Sequence, residues 1–300
     1  MNEISDDLNT LYKYVVASVY TQPDFVSSPR GMLTKEVLGA TLTLRNPRAR
    51  LITSPTRAVN YSFAVGEFIW YWDGRNDLEF ISRYNKRLPQ FSDDGVTLNS
   101  AYGYRIFGPF GHSGGDRNQW KTVLDILRTD RDSRRAVIHI LNRADISGIS
   151  KDVPCTSTLQ FFIRDERLHM HVYMRSNDVF WGLPYDVFSF TLMQEAMAIE
   201  LGVGLGHYKH TAGSLHIYER HFSDSEKIIS ELPVPSPSMP PITYTPDGVF
   251  GDVSDLDRIG WCEEALSNPK LSEIWTPASG SCEEWMVNKL LEKWRGDVTK

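Results

Sequence analysis

The chain has 300 residues, of which 41% are hydrophobic and 23% charged, and a net charge of -6. Those values describe a globular chain with a sizeable core and exclude an intrinsically disordered one. The acidic balance argues against broad affinity for nucleic acid or an anionic membrane, but it leaves room for a small basic pocket around one phosphate.

The opening stretch MNEISDDLNTLYKYVVASVY is acidic and lacks a cationic leader region, so it does not read as a signal peptide. Its apolar residues recur at helical spacing behind an Asp/Asn-rich start, which predicts an N-terminal helix. VLGATLTLRNP alternates and stops at Asn-Pro, as a strand does. AVNYSFAVGEFIWYWDG is long, apolar and closed by Asp-Gly, which suggests a buried helix. WKTVLDILRTDRDSRRAVIHIL reads as helix, polar turn, strand. Leu159–Ile163, Leu168–Met174 and Ser214–Tyr218 are further strands, and VFSFTLMQEAMAIELGV is a second buried helix. A proline-rich segment, 232–248, precedes a C-terminal helix in SCEEWMVNKLLEKW. Strands and helices mix without a βαβ rhythm, so the expected class is α+β, in one domain over 1–300 with a C-terminal helical extension.

Cys155, Cys262 and Cys282 are too few for a disulfide framework, and no CxxC or His-Cys cluster suggests a metal. No apolar run reaches the roughly 18 residues of a membrane span. A reducing cytoplasm is the expected setting.

Three groups of residues carry chemical promise. Cys155 follows a proline at a segment start, and Arg175 reaches it if the intervening hairpin folds back; a guanidinium there is expected to lower the thiol pKa. Arg134 and Arg135, in DSRRAV, with Arg30 and Arg175 suit a phosphate monoester, whose oxygens match their rigid forks. His216 and Tyr218 alternate on one strand face, where they can hold a sugar hydroxyl.

Taken in order, PRG, GEFIWYWDG, AYGYR, DSRRAV, PC, MRSNDVFWGLPYDVFSF and GSLHIY resemble the thymidylate synthase family, from about Arg30 to Tyr218. The resemblance implies a homodimeric enzyme that alkylates C5 of a pyrimidine nucleoside monophosphate with 5,10-methylenetetrahydrofolate and needs no metal. It implies that Cys155 attacks C6, that Glu67 serves a proton-moving water network, and that Tyr102 helps take the C5 proton. It assigns Arg30, Arg175 and Ser176 to the 5'-phosphate, with Arg134 and Arg135 supplied by the partner subunit. Asp178 and Gly182 line the base and folate pocket, Arg57 falls to the folate, and His216 and Tyr218 hold the 3'-hydroxyl.

Three departures from the family pattern bear on substrate. Thr156 follows Pro-Cys where the family has histidine. No tryptophan lies between Trp72 and Trp120, where synthases have folate-packing tryptophans; polar Asn85 and Lys86 there should admit water and favour hydroxymethylation over methylation. Most telling, Asp186 stands in LPYDVF where synthases carry asparagine. A protonated carboxyl accepts from N4 and donates to N3 of cytosine, so Asp186 points to dCMP or CMP, as in the cytidylate hydroxymethylases. The alternatives are an ordinary thymidylate synthase acting on dUMP and an inactive nucleotide-binding dimer.

Overall fold

The computed structural model describes residues 1–108, 118–147, 150–232, 234–245, 248–249 and 279–298. Cys262 lies outside the described residues, as does part of the proline-rich segment.

An eight-stranded mixed sheet forms the centre. β1 (Asn2–Ser5), β3 (Thr34–Leu44), β8 (Gly204–Tyr218), β6 (Arg167–Met174), β5 (Thr156–Arg164) and β4 (Val137–His139) follow one another across it. β2 (Phe25–Ser27) joins β3, and the two-residue β7 (Asn177–Asp178) joins β8. β3 and β8 run antiparallel, from Thr34 opposite Tyr218 to Leu44 opposite Tyr208. β6 and β7 lie parallel to β8, whereas β5 and β6 form an antiparallel hairpin. This is the expected α+β architecture.

Period-two alternation sorts the side chains. Leu168, Met170, Val172 and Met174 of β6 are buried, as are Tyr208, His210 and Ala212 of β8. On that side the sheet meets α1 (Leu8–Thr21) and α6 (Leu183–Glu200). α6 is buried without a break from Val187 to Ala198, so its polar members need internal partners. Gln194 Nε2 donates to the Leu168 carbonyl at 2.9 Å. The Glu195 carboxylate pairs with Arg48 at 2.6 Å and with fully buried Arg50.

The opposite face carries Thr41, His169, His171, Tyr173, His207, Lys209 and Thr211, all partly or fully exposed. His171 Nε2 and Thr211 Oγ1 lie 2.8 Å apart, and the His171 and Tyr173 rings are 4.1 Å apart. No described element covers this face.

α2 (Tyr61–Trp72) starts at Asn60, whose side chain accepts from the Phe63 N–H at 3.1 Å. The C-terminal α8 (Cys282–Val298) packs on α2: Ser62 Oγ donates to the Lys289 carbonyl at 2.6 Å, and Trp285 meets Tyr61 edge-on. α3 (Leu78–Ile81), α4 (Tyr102–Phe107), α5 (Gln119–Thr129) and α7 (Phe222–Ser230) complete the α-helices among the described residues.

Two boundaries differ from the sequence reading. α6 begins at Leu183, four residues before VFSF, because Pro184 is well suited to a first helical turn. β8 begins at Gly204, ten residues before Ser214; its polar outward positions masked the strand.

Candidate active site

The β5–β6 hairpin does fold back. Arg175 lies just beyond β6, and its N–H donates to the Cys155 carbonyl at 2.8 Å. Its guanidinium donates to the carbonyls of Pro154 and Val153, both at 2.9 Å, and Nη2 reaches Cys155 Sγ at 3.7 Å. The fold therefore puts a cation against the thiol. The expected fall in thiol pKa does not follow, however. Burial raises the Cys155 pKa, and Asp186 and Asp152 add to it; the charges of Arg175 and Arg30 oppose without winning.

Arg30 occupies a one-turn helix, Pro29–Gly31, with φ of 55°. That left-handed conformation is uncommon outside glycine and sets the direction of an exposed side chain. Ser176 and Asn177 continue from Arg175, so the hairpin end and β7 hold Cys155, Arg175, Ser176 and Asp178 along one edge. β7 sets Asp178 opposite His216 of β8. The rings of His216 and Tyr218 are 5.0 Å apart and perpendicular, on one strand face as the alternation implies.

Asp178 Oδ1 accepts from the N–H groups of Phe180 and Trp181, at 2.7 and 3.2 Å. This turn leads to Gly182, the residue before α6. A side chain at 182 would meet Asn177 Nδ2 at 2.7 Å and Asp186 Oδ2 at 3.3 Å, so glycine is required by crowding. Asp186 then lies in the first turn of α6, 8% exposed, and Oδ2 accepts from Asn177 Nδ2 at 2.7 Å. Burial pushes its pKa up to about 7, against the pull of the Asn177 bond.

Glu67, on α2, faces the same space. Burial, then the charge of Asp186, pushes its pKa up to about 8, while the Tyr71 hydroxyl beside it pulls the other way. Tyr102 opens α4 and stacks on Tyr71 with centroids 5.3 Å apart. Burial holds its hydroxyl protonated, with Asp186 and Cys155 adding, and Thr156 lies beside it. Two carboxyls, a phenol and a thiol thus share one enclosed region.

Arg57 donates to the Phe180 carbonyl and lies 5.6 Å from the Tyr185 ring. Nearby, half-exposed Trp181 is flanked by the guanidiniums of Arg87 and Arg220, at 4.9 and 4.3 Å from its ring. Arg220 also approaches Asp178 Oδ2 at 3.5 Å. Sequence reading missed Trp181, Arg220 and Asn177. All but Arg220 lie inside the MRSNDVFWGLPYDVFSF motif, and their spacing to Asp186 was the available signal.

Arg134 and Arg135 do not join this cluster within one chain. The β4–β5 register carries Arg135 alongside Phe162, seven residues from Cys155 on an extended strand, or roughly 20 Å away. Both arginines are exposed, and their guanidiniums make no hydrogen bond or ion pair among the described residues.

A family model described as "Thymidylate synthase" matches residues 10–248. The chain belongs to the thymidylate synthase family. It is also similar to the deoxyuridylate hydroxymethyltransferase of Bacillus phage SP01, with 36% identity over 223 residues, which is 69% of this chain and 56% of that protein. The chain thus spans little more than half the length of this curated relative. Family members use methylenetetrahydrofolate as the one-carbon donor, and no group of three or more His, Cys, Asp or Glu side chains among the described residues is arranged to hold a metal.

Proposed function

We propose that the chain hydroxymethylates C5 of a cytidine monophosphate, dCMP or CMP, with methylenetetrahydrofolate as co-substrate. The observation that carries this reading is Asp186, a buried carboxyl whose pKa near 7 keeps a neutral form available at physiological pH. A neutral carboxyl both donates and accepts, which matches N3 and N4 of cytosine. Against uracil it leaves polar groups mispaired in a buried site, a fault that costs several kcal/mol.

Cys155 adds to C6, and C5 then attacks the methylene carbon of the folate. Loss of the C5 proton toward the region of Tyr102 and Glu67 accompanies departure of tetrahydrofolate. Water adds to the resulting exocyclic methylene, and the thiol leaves C6. Burial raises the thiol pKa, so Cys155 rests as the thiol and must lose its proton before or as it adds to C6. Arg30, Arg175 and Ser176 take the 5'-phosphate, and His216 and Tyr218 the 3'-hydroxyl. Asp178, Gly182 and Arg57 face the folate. Hydroxymethylation rather than methylation is supported by the phage relative and by the absence of tryptophan between residues 72 and 120.

The active unit in this reading is a homodimer. The uncovered sheet face offers a second copy a docking surface, and the exposed guanidiniums of Arg134 and Arg135 make no hydrogen bond or ion pair among the described residues of their own chain. A second reading, hydroxymethylation of dUMP, is favoured by the activity named for the phage relative.

Substitution of Asp186 separates the two. The parent should prefer dCMP or CMP, and Asp186→Asn should shift the kcat/KM ratio toward dUMP by at least about tenfold, or roughly 1.4 kcal/mol. A parent that prefers dUMP, or a ratio unmoved by the substitution, overturns the cytidylate assignment. Product analysis for 5-hydroxymethyl against 5-methyl nucleotide settles the one-carbon step.

A further inference from the structure

We infer that Asn177 is a base-specificity residue that acts through Asp186, by holding Oδ2 as an acceptor so that the acid's proton resides on Oδ1. The inference rests on the cytidylate reading above and concerns a residue that the reading does not use.

A free carboxylic acid has two equivalent oxygens, and its proton can sit on either. Asp186 is not in that position. Asn177 Nδ2 donates to Oδ2 at 2.7 Å, and both side chains are buried, at 2% and 8% exposure. An amide N–H keeps its partner oxygen unprotonated, because a carbonyl-type oxygen accepts far better than an acid O–H. The neutral acid therefore presents one defined donor, Oδ1, and one defined acceptor, the remaining lone pair of Oδ2. Cytosine requires one of each.

The pair is held rigidly. Asn177 belongs to β7, fixed opposite Leu215 of β8, while Asp186 belongs to the first turn of α6. Gly182 lies between them, and any side chain there would strike the Asn177 amide. Asn177 is adjacent to Ser176, so the same short strand links the phosphate end of the site to its base-reading end. The Asn177 Oδ1 atom is buried with no hydrogen-bond partner among the described residues. A buried orphan acceptor is costly unless a ligand or water completes it, and the second N–H of a cytosine amino group is a suitable donor. Uracil has no such group to offer.

Asn177→Ala tests this, with dCMP and dUMP as substrates and the parent and Asp186→Asn alongside. The dCMP/dUMP ratio of kcat/KM should fall by about tenfold. Loss of the amide also removes the contact that holds the Asp186 pKa down, so the alkaline fall in kcat/KM for dCMP should move to higher pH. A residue that merely fills space would lower both substrates together and leave that midpoint in place. Asn177→Cys, of similar volume and a weak donor, serves if the alanine variant does not fold. A parent that prefers dCMP, with Asp186→Asn shifting the ratio but both Asn177 variants leaving ratio and midpoint unchanged, overturns the inference and spares the cytidylate reading. A parent that prefers dUMP overturns both.

Discussion

Arg175 and Cys155 are bound to each other twice, once through the backbone at 2.8 Å and once through guanidinium and sulfur at 3.7 Å. The guanidinium opposes burial at the thiol without overcoming it. Arg175→Gln should therefore raise the thiol pKa further, and the pH midpoint for iodoacetamide alkylation of Cys155 should move upward. Cys155→Ser should abolish tritium release from C5 while nucleotide binding survives. Turnover by a Cys155→Ala enzyme would remove Cys155 from the chemistry.

Burial raises both Asp186 and Glu67; the charge of Asp186 raises Glu67 further, while the Asn177 hydrogen bond opposes the rise at Asp186. Preference for cytidylate over uridylate should decline as pH rises through about 7, where Asp186 loses its donor proton. The stability effect has the same sign. A carboxyl whose folded pKa exceeds its unfolded value of about 3.9 contributes stability below that value and loses it as pH rises through the folded pKa. Asp186→Asn should therefore melt higher than the parent above about pH 7, by differential scanning calorimetry at matched buffers. An unchanged melting difference from acid to alkaline pH would contradict the raised pKa.

If the sites are shared, two dead enzymes can repair one another. Cys155→Ala and Arg135→Ala homodimers should each be inactive. After unfolding and co-refolding, hybrid dimers should recover about a quarter of parental activity, since one of the two sites in each hybrid is intact and half the dimers are hybrids. Verified hybrids without activity would place Arg135 outside the partner's site.

Glu195 lies inside α6 with Arg50 and Arg48 as its only charged partners among the described contacts. Despite the burial, those charges hold its carboxyl below the usual range. Glu195→Ala leaves fully buried Arg50 uncompensated and should cost about 3–5 kcal/mol by urea denaturation. Because the folded pKa is depressed, the parent should lose this contribution as pH falls below the ordinary carboxylate range.

The helices and long strands were legible because their periodicity is strong. α1, α2 and the β5–β6 hairpin fall where the sequence puts them. β2 and β7 were not legible: three and two residues carry no period, and only their pairing with β3 and β8 makes them strands. In the site, Cys155 and Arg175 stood out by residue type and Asp186 by its departure from the family pattern, and the structure brings the three together. The sign of the thiol shift was misjudged, because sequence shows a neighbouring charge more readily than it shows depth. Asn177 was hidden for a related reason. An asparagine has no conspicuous chemistry until its partner is known, and that partner is set by a turn of Gly182 which no spacing rule describes.

β3 and β8 form the longest pairing in the sheet, and they join Thr34 to Tyr218. One consequence concerns the order of events on the ribosome. β3 emerges early, yet its neighbour across the ladder is among the last strands made, and loop closure over such a span is slow. Arg30, just ahead of β3, and His216 and Tyr218, at the end of β8, are therefore brought to the same end of the ladder only when most of the chain has been synthesised. Until then β3 has an open edge and an apolar face, the combination that invites pairing with another nascent chain. Slow translation between β3 and β8, or a rise in temperature during expression, should therefore increase aggregation before it lowers the activity of molecules that have already folded.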